Sequence, residues 1–111
     1  MQILGKQLPD LDLAELETAE SLEKHLNKYA EITTRNADAN ISRTDQIKAI
    51  CDVTYEMFDN LFGAGTANQV FEGRNNMMLC YKAMTELIRG VQEIDARNAS
   101  MITELSESLN K

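Results

Sequence analysis

Residues 58 to 76 constrain this chain most. The segment Phe58-Asp59-Asn60-Leu61-Phe62-Gly63-Ala64-Gly65-Thr66-Ala67-Asn68-Gln69-Val70-Phe71-Glu72-Gly73-Arg74-Asn75-Asn76 holds all three Phe and three of the five Gly, and it lies between two long helical patterns. Gly63 falls where a helix C-terminus wants a left-handed residue, and Gly65 permits a second sharp step. Thr66 with Gln69 reads as a capping box, so Ala67 to Phe71 is expected to form one or two helical turns closed by Gly73. The segment spells stop, turn, start and stop.

The flanking patterns are helical. Ser42 with Asp45 forms an N-cap pair, and Ile47, Ile50, Cys51, Thr54, Phe58, Leu61 and Phe62 follow at helical spacing, giving a helix from about Arg43 to Phe62. Asn75 or Asn76 can cap the last helix, whose Met77, Cys80, Met84, Leu87, Val91, Ile94, Met101 and Leu105 alternate steps of three and four. Asn98 interrupts that seam, either to fix register in helix association or as a solvent-facing break. From about Ala14 to Ala37 a narrower stripe, Leu16, Ala19, Leu22, Leu26, Tyr29 or Ala30 and Thr33, predicts an amphipathic helix that fades into a polar linker reaching Asn40. Residues 1 to 13 read differently. Ile3-Leu4, Gly5-Lys6, Leu8 and Leu11-Asp12-Leu13 suggest two short extended stretches around a turn, with Pro9 at an edge position that needs no N–H.

The fold expected is therefore all-α, one domain over residues 1–111: three main helices, one short helix and a small N-terminal β-hairpin or arm. Arm (1–13), first helix and linker (14–40), second and short helices (42–73) and last helix (75–111) follow in order. Leu, Ile, Ala and Met content with 5% aromatics and no Trp agrees. A last helix unbroken from Asn76 to Leu109 would be about 50 Å long, against a radius of gyration of about 13 Å for a compact chain of this size. Either Gly90 bends it back, or its end overhangs and buries Ile94, Met101, Ile102 and Leu105 against another subunit or a partner helix. Self-association is the expectation.

Composition excludes several functions. A net charge of −7, with the 11 Lys and Arg scattered singly, argues against phosphate-driven nucleic-acid binding. No apolar run approaches the roughly 20 residues of a membrane span, and the N-terminus lacks a signal-peptide layout, so a cytoplasmic protein without membrane or nucleic-acid partners is expected. Cys51 and Cys80 read as two buried thiols. His25, among Glu23, Lys24 and Lys28, reads as a surface residue. One His and two Cys 29 residues apart lack zinc spacing, and the acidic residues form no inward carboxylate cluster. Gly63-Ala64-Gly65-Thr66 is too short for a phosphate loop and has no Lys beside Thr66. No cofactor, metal or catalytic residue emerges, and a non-enzymatic role is expected. Met77, Met78 and Met84 lie near Phe71 and Tyr81, where thioethers fill a core or line an adaptable surface; Met77 and Met78 cannot both point inward.

The residues Cys51-x-x-Val-x-x-x-x-Phe58-Asp59-x-Leu61-Phe62-Gly63-x-Gly65-Thr66-Ala67-x-x-Val70-Phe71-x-Gly73-x-x-Asn76, followed by Cys80, Ala83, Glu86-Leu87 and Val91, resemble a family of small tail assembly chaperones of tailed phages of Gram-positive bacteria. The likeness covers Ile47 to Ile94, and extends loosely to Ile3-Leu4-Gly5-Lys6-Gln7-Leu8 and Thr18-Ala19-Glu20. The resemblance implies a nonstructural, self-associating protein that binds the tape measure protein, with the major tail protein as a further partner, in the host cytoplasm and outside the mature virion. The competing expectation is a structural head-tail adaptor or tail completion subunit. Apolarity near the turn assigns partner contact to Phe58, Phe62, Phe71, Met77, Met78, Tyr81 and Met84, and oligomer contact to Ile94, Met101, Ile102 and Leu105.

Overall fold

A computed structural model describes residues 1–38 and 40–110; Ala39 of the expected linker and Lys111 lie outside the described residues. The elements in chain order are β1 (Gln2–Ile3), β2 (Lys6–Gln7), α1 (Leu16–Asn36), α2 (Arg43–Phe62), α3 (Thr66–Phe71) and α4 (Met77–Leu109). The protein is all-α with a small N-terminal hairpin, as its periodicity indicates.

β1 and β2 pair antiparallel, Gln2 opposite Gln7 and Ile3 opposite Lys6, so the loop is Leu4-Gly5. Both loop residues have positive φ, 50° and 79°, as a type I′ hairpin turn requires. The Leu8 N–H donates to the Met1 carbonyl at 2.8 Å. Pro9, which has no N–H to donate, then ends the pairing. The second extended stretch thus stops at Leu8. Leu11 is buried without belonging to a strand.

The hairpin is docked on α4 rather than free. The Leu4 N–H donates to Glu86 Oε2 at 2.9 Å, and Arg97 pairs with Asp10 at 3.0 Å. Lys6 pairs with Glu72 at 2.8 Å. Gly90 does not break α4, which runs as a single element through it. It makes room: a Cβ there would lie 2.6 Å from Met1 Cε. The sequence offers Gly90 as a hinge, and the structure uses it as a slot.

Each helix end has an identifiable cause. Ser42 Oγ accepts from the Asp45 N–H at 3.1 Å, as its spacing suggests, and Asn76 Oδ1 accepts from the N–H groups of Met78 and Leu79. α3 departs from the capping-box expectation. Thr66 is its first helical residue, and its hydroxyl donates backwards to the Gly63 carbonyl at 2.7 Å. Asp59 of α2 instead accepts the Ala67 N–H at 2.8 Å, so the longer helix caps the shorter one. Asn36 and Gln46 exchange side-chain to backbone hydrogen bonds of 3.0 and 3.1 Å, closing the α1–α2 turn.

The core is one cluster: Ile3, Leu8 and Leu11 from the arm, Ile50, Cys51, Met57 and Phe58 from α2, Ala67, Val70 and Phe71 from α3, and Cys80, Ala83, Met84, Leu87 and Ile94 from α4. α1 leans on this body along α2. Its buried residues are Leu22 and His25, with Leu26, Tyr29 and Ile32 partly covered. Two expectations for α1 are corrected here. Leu16 is 71% exposed, and His25 is buried rather than on the surface. Past Arg97, α4 leaves the body, every described residue from Asn98 to Asn110 is exposed, and the molecule is 61 Å long.

Candidate interaction surface

The aromatic side chains at the elbow face one another. Phe58 meets Phe71 edge to face with centroids 5.6 Å apart and stacks on Phe62 at 5.7 Å, while Tyr55 stacks on Phe71 at 5.0 Å. The Tyr55 hydroxyl donates to the Arg74 carbonyl, tying α2 to the turn that enters α4. This turn carries left-handed residues at Glu72 and Gly73, with φ of 53° and 73°. The elbow is a rigid joint filled from both sides.

That packing separates the residues assigned to partner contact. Phe58, Phe71 and Met84 are buried in the core and offer no surface in this structure. Phe62, Met77 and Tyr81 are half-buried, and Tyr81 meets Tyr29 edge to face at 6.5 Å. Met78 is 67% exposed, so of the methionine pair it is the one that turns outward. A partner approaching the elbow would meet Met78 first.

Among the oligomer-contact residues, Ile94 is buried within its own chain, on the part of α4 that the arm covers. It is corrected to a core residue. Met101, Ile102 and Leu105 are exposed at 72%, 67% and 59%, and Leu109 at 75%. At 100° per residue, Asn98, Met101, Ile102, Leu105 and Leu109 fall on one face of α4, in line with Leu87, Val91 and Ile94. The face that packs into the body continues past it with nothing on it. Ile88, 42% exposed, is an outward apolar residue that this face does not include.

The perturbed Cys, His and carboxyl groups among the described residues are two buried thiols, one buried imidazole and surface ion pairs. Cys51 and Cys80 are free buried thiols with sulfurs 3.7 Å apart, and burial raises both, Cys80 to about 12, so neither supplies a thiolate. His25 Nε2 is 3.2 Å from Asn60 Nδ2; with the amide donating, Nδ1 carries the hydrogen, and it has no partner. Burial lowers His25. Asp10 is lowered by the Met1 ammonium and by Arg97, Glu56 by Lys28 and Glu72 by Lys6, all of them surface pairs. A cavity of about 910 Å³ between the hairpin and α4 is rimmed by Asp10, Glu86, Arg89, Glu93 and Arg97, charges of both signs. Among the described residues no three His, Cys, Asp or Glu are placed to hold a metal ion, and no helix is long and apolar enough to cross a membrane. The surfaces that stand out are apolar: the end of α4 and Met78 at the elbow.

No curated protein and no solved structure matches the chain. The pattern of the family of unknown function DUF6673 matches residues 4–111, and the chain belongs to that family.

Proposed function

We propose that this protein is a non-enzymatic assembly chaperone of phage tails, one that self-associates and covers the tape measure protein before the tail tube forms around it. The observation that carries the reading is the uncovered stripe Met101, Ile102, Leu105 and Leu109 on an overhanging helix of a chain with net charge −7. Monomeric proteins rarely leave contiguous apolar patches larger than a few hundred Å² open, and acidic charge keeps such a surface from causing indiscriminate aggregation. A tape measure protein is a long, apolar-striped helical chain, and helix-in-groove contact with an adaptable methionine surface suits it. The elbow residues that resemble the tail-chaperone signature support the same reading. Their role is to lock α2, α3 and α4 into a rigid frame, with Met78 on its outside.

In this reading the protein works in the host cytoplasm and leaves before the virion matures, with the major tail protein as a further partner. Co-expression tests it. The chain should keep the tape measure protein in the soluble fraction, and Met78→Glu should weaken that effect while leaving the fold intact. An insoluble tape measure protein in the presence of the chain would overturn the proposal. So would recovery of the chain from purified virions at ring stoichiometry, which would identify a structural subunit instead.

A further inference from the structure

We infer that two copies of this chain pair through residues 98 to 109 of α4, antiparallel, about a twofold axis that passes beside Thr103. The inference rests on the self-association in the reading above and deepens it by naming the surface, the orientation and the register. It needs no phage partner.

The stripe is self-complementary when two copies run antiparallel. Its order along the helix is polar Asn98, apolar Met101 and Leu105, polar Ser108, and all of it is exposed. Laid antiparallel about residue 103, Met101 of each copy faces Leu105 of the other, and Asn98 faces Ser108, so along the centre of the seam apolar meets apolar and polar meets polar. Ile102 and Leu109 line one flank of this seam; the two Ile102 side chains meet across the axis, and Leu109 lies level with Arg97 and Asn98 of the other copy. The paired segment is about 18 Å of helix. It begins one residue past Arg97, whose guanidinium is held by Asp10 at the rim of the body.

A parallel pair is blocked by the body itself. The stripe points to the same side as Leu87 and Ile94, which the chain's own core covers. Two parallel helices facing each other along this line would have to place both bodies in one space. Antiparallel copies send their bodies to opposite ends, and each overhang fills the notch beside the other.

The area places the interface in its size class. Four apolar side chains per copy, each well over half exposed, would bury about 1,000 Å² in total, at the threshold of a specific interface. An interface at that threshold belongs with weak, reversible associations. One feature opposes pairing: the two Glu104 carboxylates lie on the same flank near the axis, and Glu104 has no ion-pair partner among the described residues.

Sedimentation of the full chain over a concentration series should show a monomer–dimer equilibrium. Leu105→Glu, at an exposed position of the monomer, should weaken it by at least about tenfold without altering the helical signal of dilute protein. Glu104→Gln should tighten it. Register is read by cysteine cross-linking, since Cys51 and Cys80 are buried: a mixture of Met101→Cys and Leu105→Cys chains should form the mixed disulfide in preference to either like pair. A monomer at every concentration, a dimer indifferent to Leu105→Glu, or preferential like-with-like cross-linking would each overturn the pairing. A chain that pairs in this register but leaves the tape measure protein insoluble would keep this inference and refute the tail-assembly reading.

Discussion

His25 ties stability to pH although it is not exposed to water. Its ring lies between α1 and α2, with Asn60 on one nitrogen and nothing on the other. Burial disfavours the imidazolium, Lys24 and Lys28 add to that, and Glu56 only partly opposes it. The folded state therefore holds His25 neutral below its ordinary value of 6.5, while the unfolded chain takes up the proton there. Stability is full above pH 6.5 and falls as the pH drops from there through the folded pKa. The carboxylates of Asp10, Glu56 and Glu72 are lowered by their partners, so their contribution is lost only at more acid pH, below their ordinary values of 3.8 and 4.5. Urea midpoints measured between pH 7.5 and 5 should decline in the native chain and flatten in His25→Leu; an equal decline in both would remove His25 as the cause. The residue was legible in the sequence. Thr18, Leu22, His25, Tyr29 and Ile32 step by four, three, four and three, and every one of them is at least half-buried. A reading anchored on Leu16 and on the charged neighbours of His25 rotates the stripe away from that line, because a leucine is weighted by hydropathy and a histidine is not. Cys51 and Cys80 read correctly for the reason that places them, apolar neighbours at helical spacing. Both should resist iodoacetamide at pH 8 in the folded protein and react fully in denaturant.

The elements meet through contacts that single-element patterns do not display. α3 is six residues long, far below the length at which a helix holds itself in water, so its start depends on what satisfies its N–H groups. A local capping box at Thr66 and Gln69 looks sufficient in sequence, yet Asp59 reaches across the Gly63-Ala64-Gly65 turn and takes the Ala67 N–H. Asp59→Ala should cost about 1–2 kcal/mol in urea unfolding, the value of a lost cap, whereas Gln69→Ala should cost nearly nothing. A reversed order would restore the capping box. Gly90 poses the same question for α4. In a solvated helix, Gly to Ala gains about 1 kcal/mol. Here the added carbon would crowd the Met1 side chain, whose own side chain is 3% exposed. Gly90→Ala should gain less than that, and Gly90→Ile should cost about 1–3 kcal/mol through overpacking. The arm reports it: the Leu4 and Leu8 amides, bonded to Glu86 and Met1, should exchange faster in Gly90→Ile. A glycine inside a helical pattern says that something is close or that something bends, and only the partner's position separates the two.

Across the whole molecule the decisive quantity is available from the sequence: a helix of about 50 Å cannot be covered by a body with a radius of gyration of about 13 Å. The radius of gyration is 16.5 Å and α4 spans 33 residues without a break. What the pattern could not place was the point of departure, because Ile94 and Met101 occupy equivalent positions in the repeat. The arm decides it. Met1 covers Gly90, Asp10 holds Arg97, and burial ends between Ile94 and Asp95. The body and the overhang are thus energetically separate in the monomer, since no side chain from Asn98 to Asn110 is buried and no hydrogen bond or ion pair links that stretch to the arm or to the other helices. A chain ending at Arg97 should keep the melting temperature of the dilute full-length protein to within about 3 °C, a shift that for a domain of this size corresponds to well under 1 kcal/mol. Its scattering radius should contract to about 13 Å. A fall of about 8 °C or more would mean that the overhang stabilises the body it leaves, and the stripe on Met101, Ile102 and Leu105 would then have an intramolecular purpose. An unchanged melting temperature would leave that stripe with no role inside the monomer, and an apolar face of this size with no internal role requires a surface outside the chain.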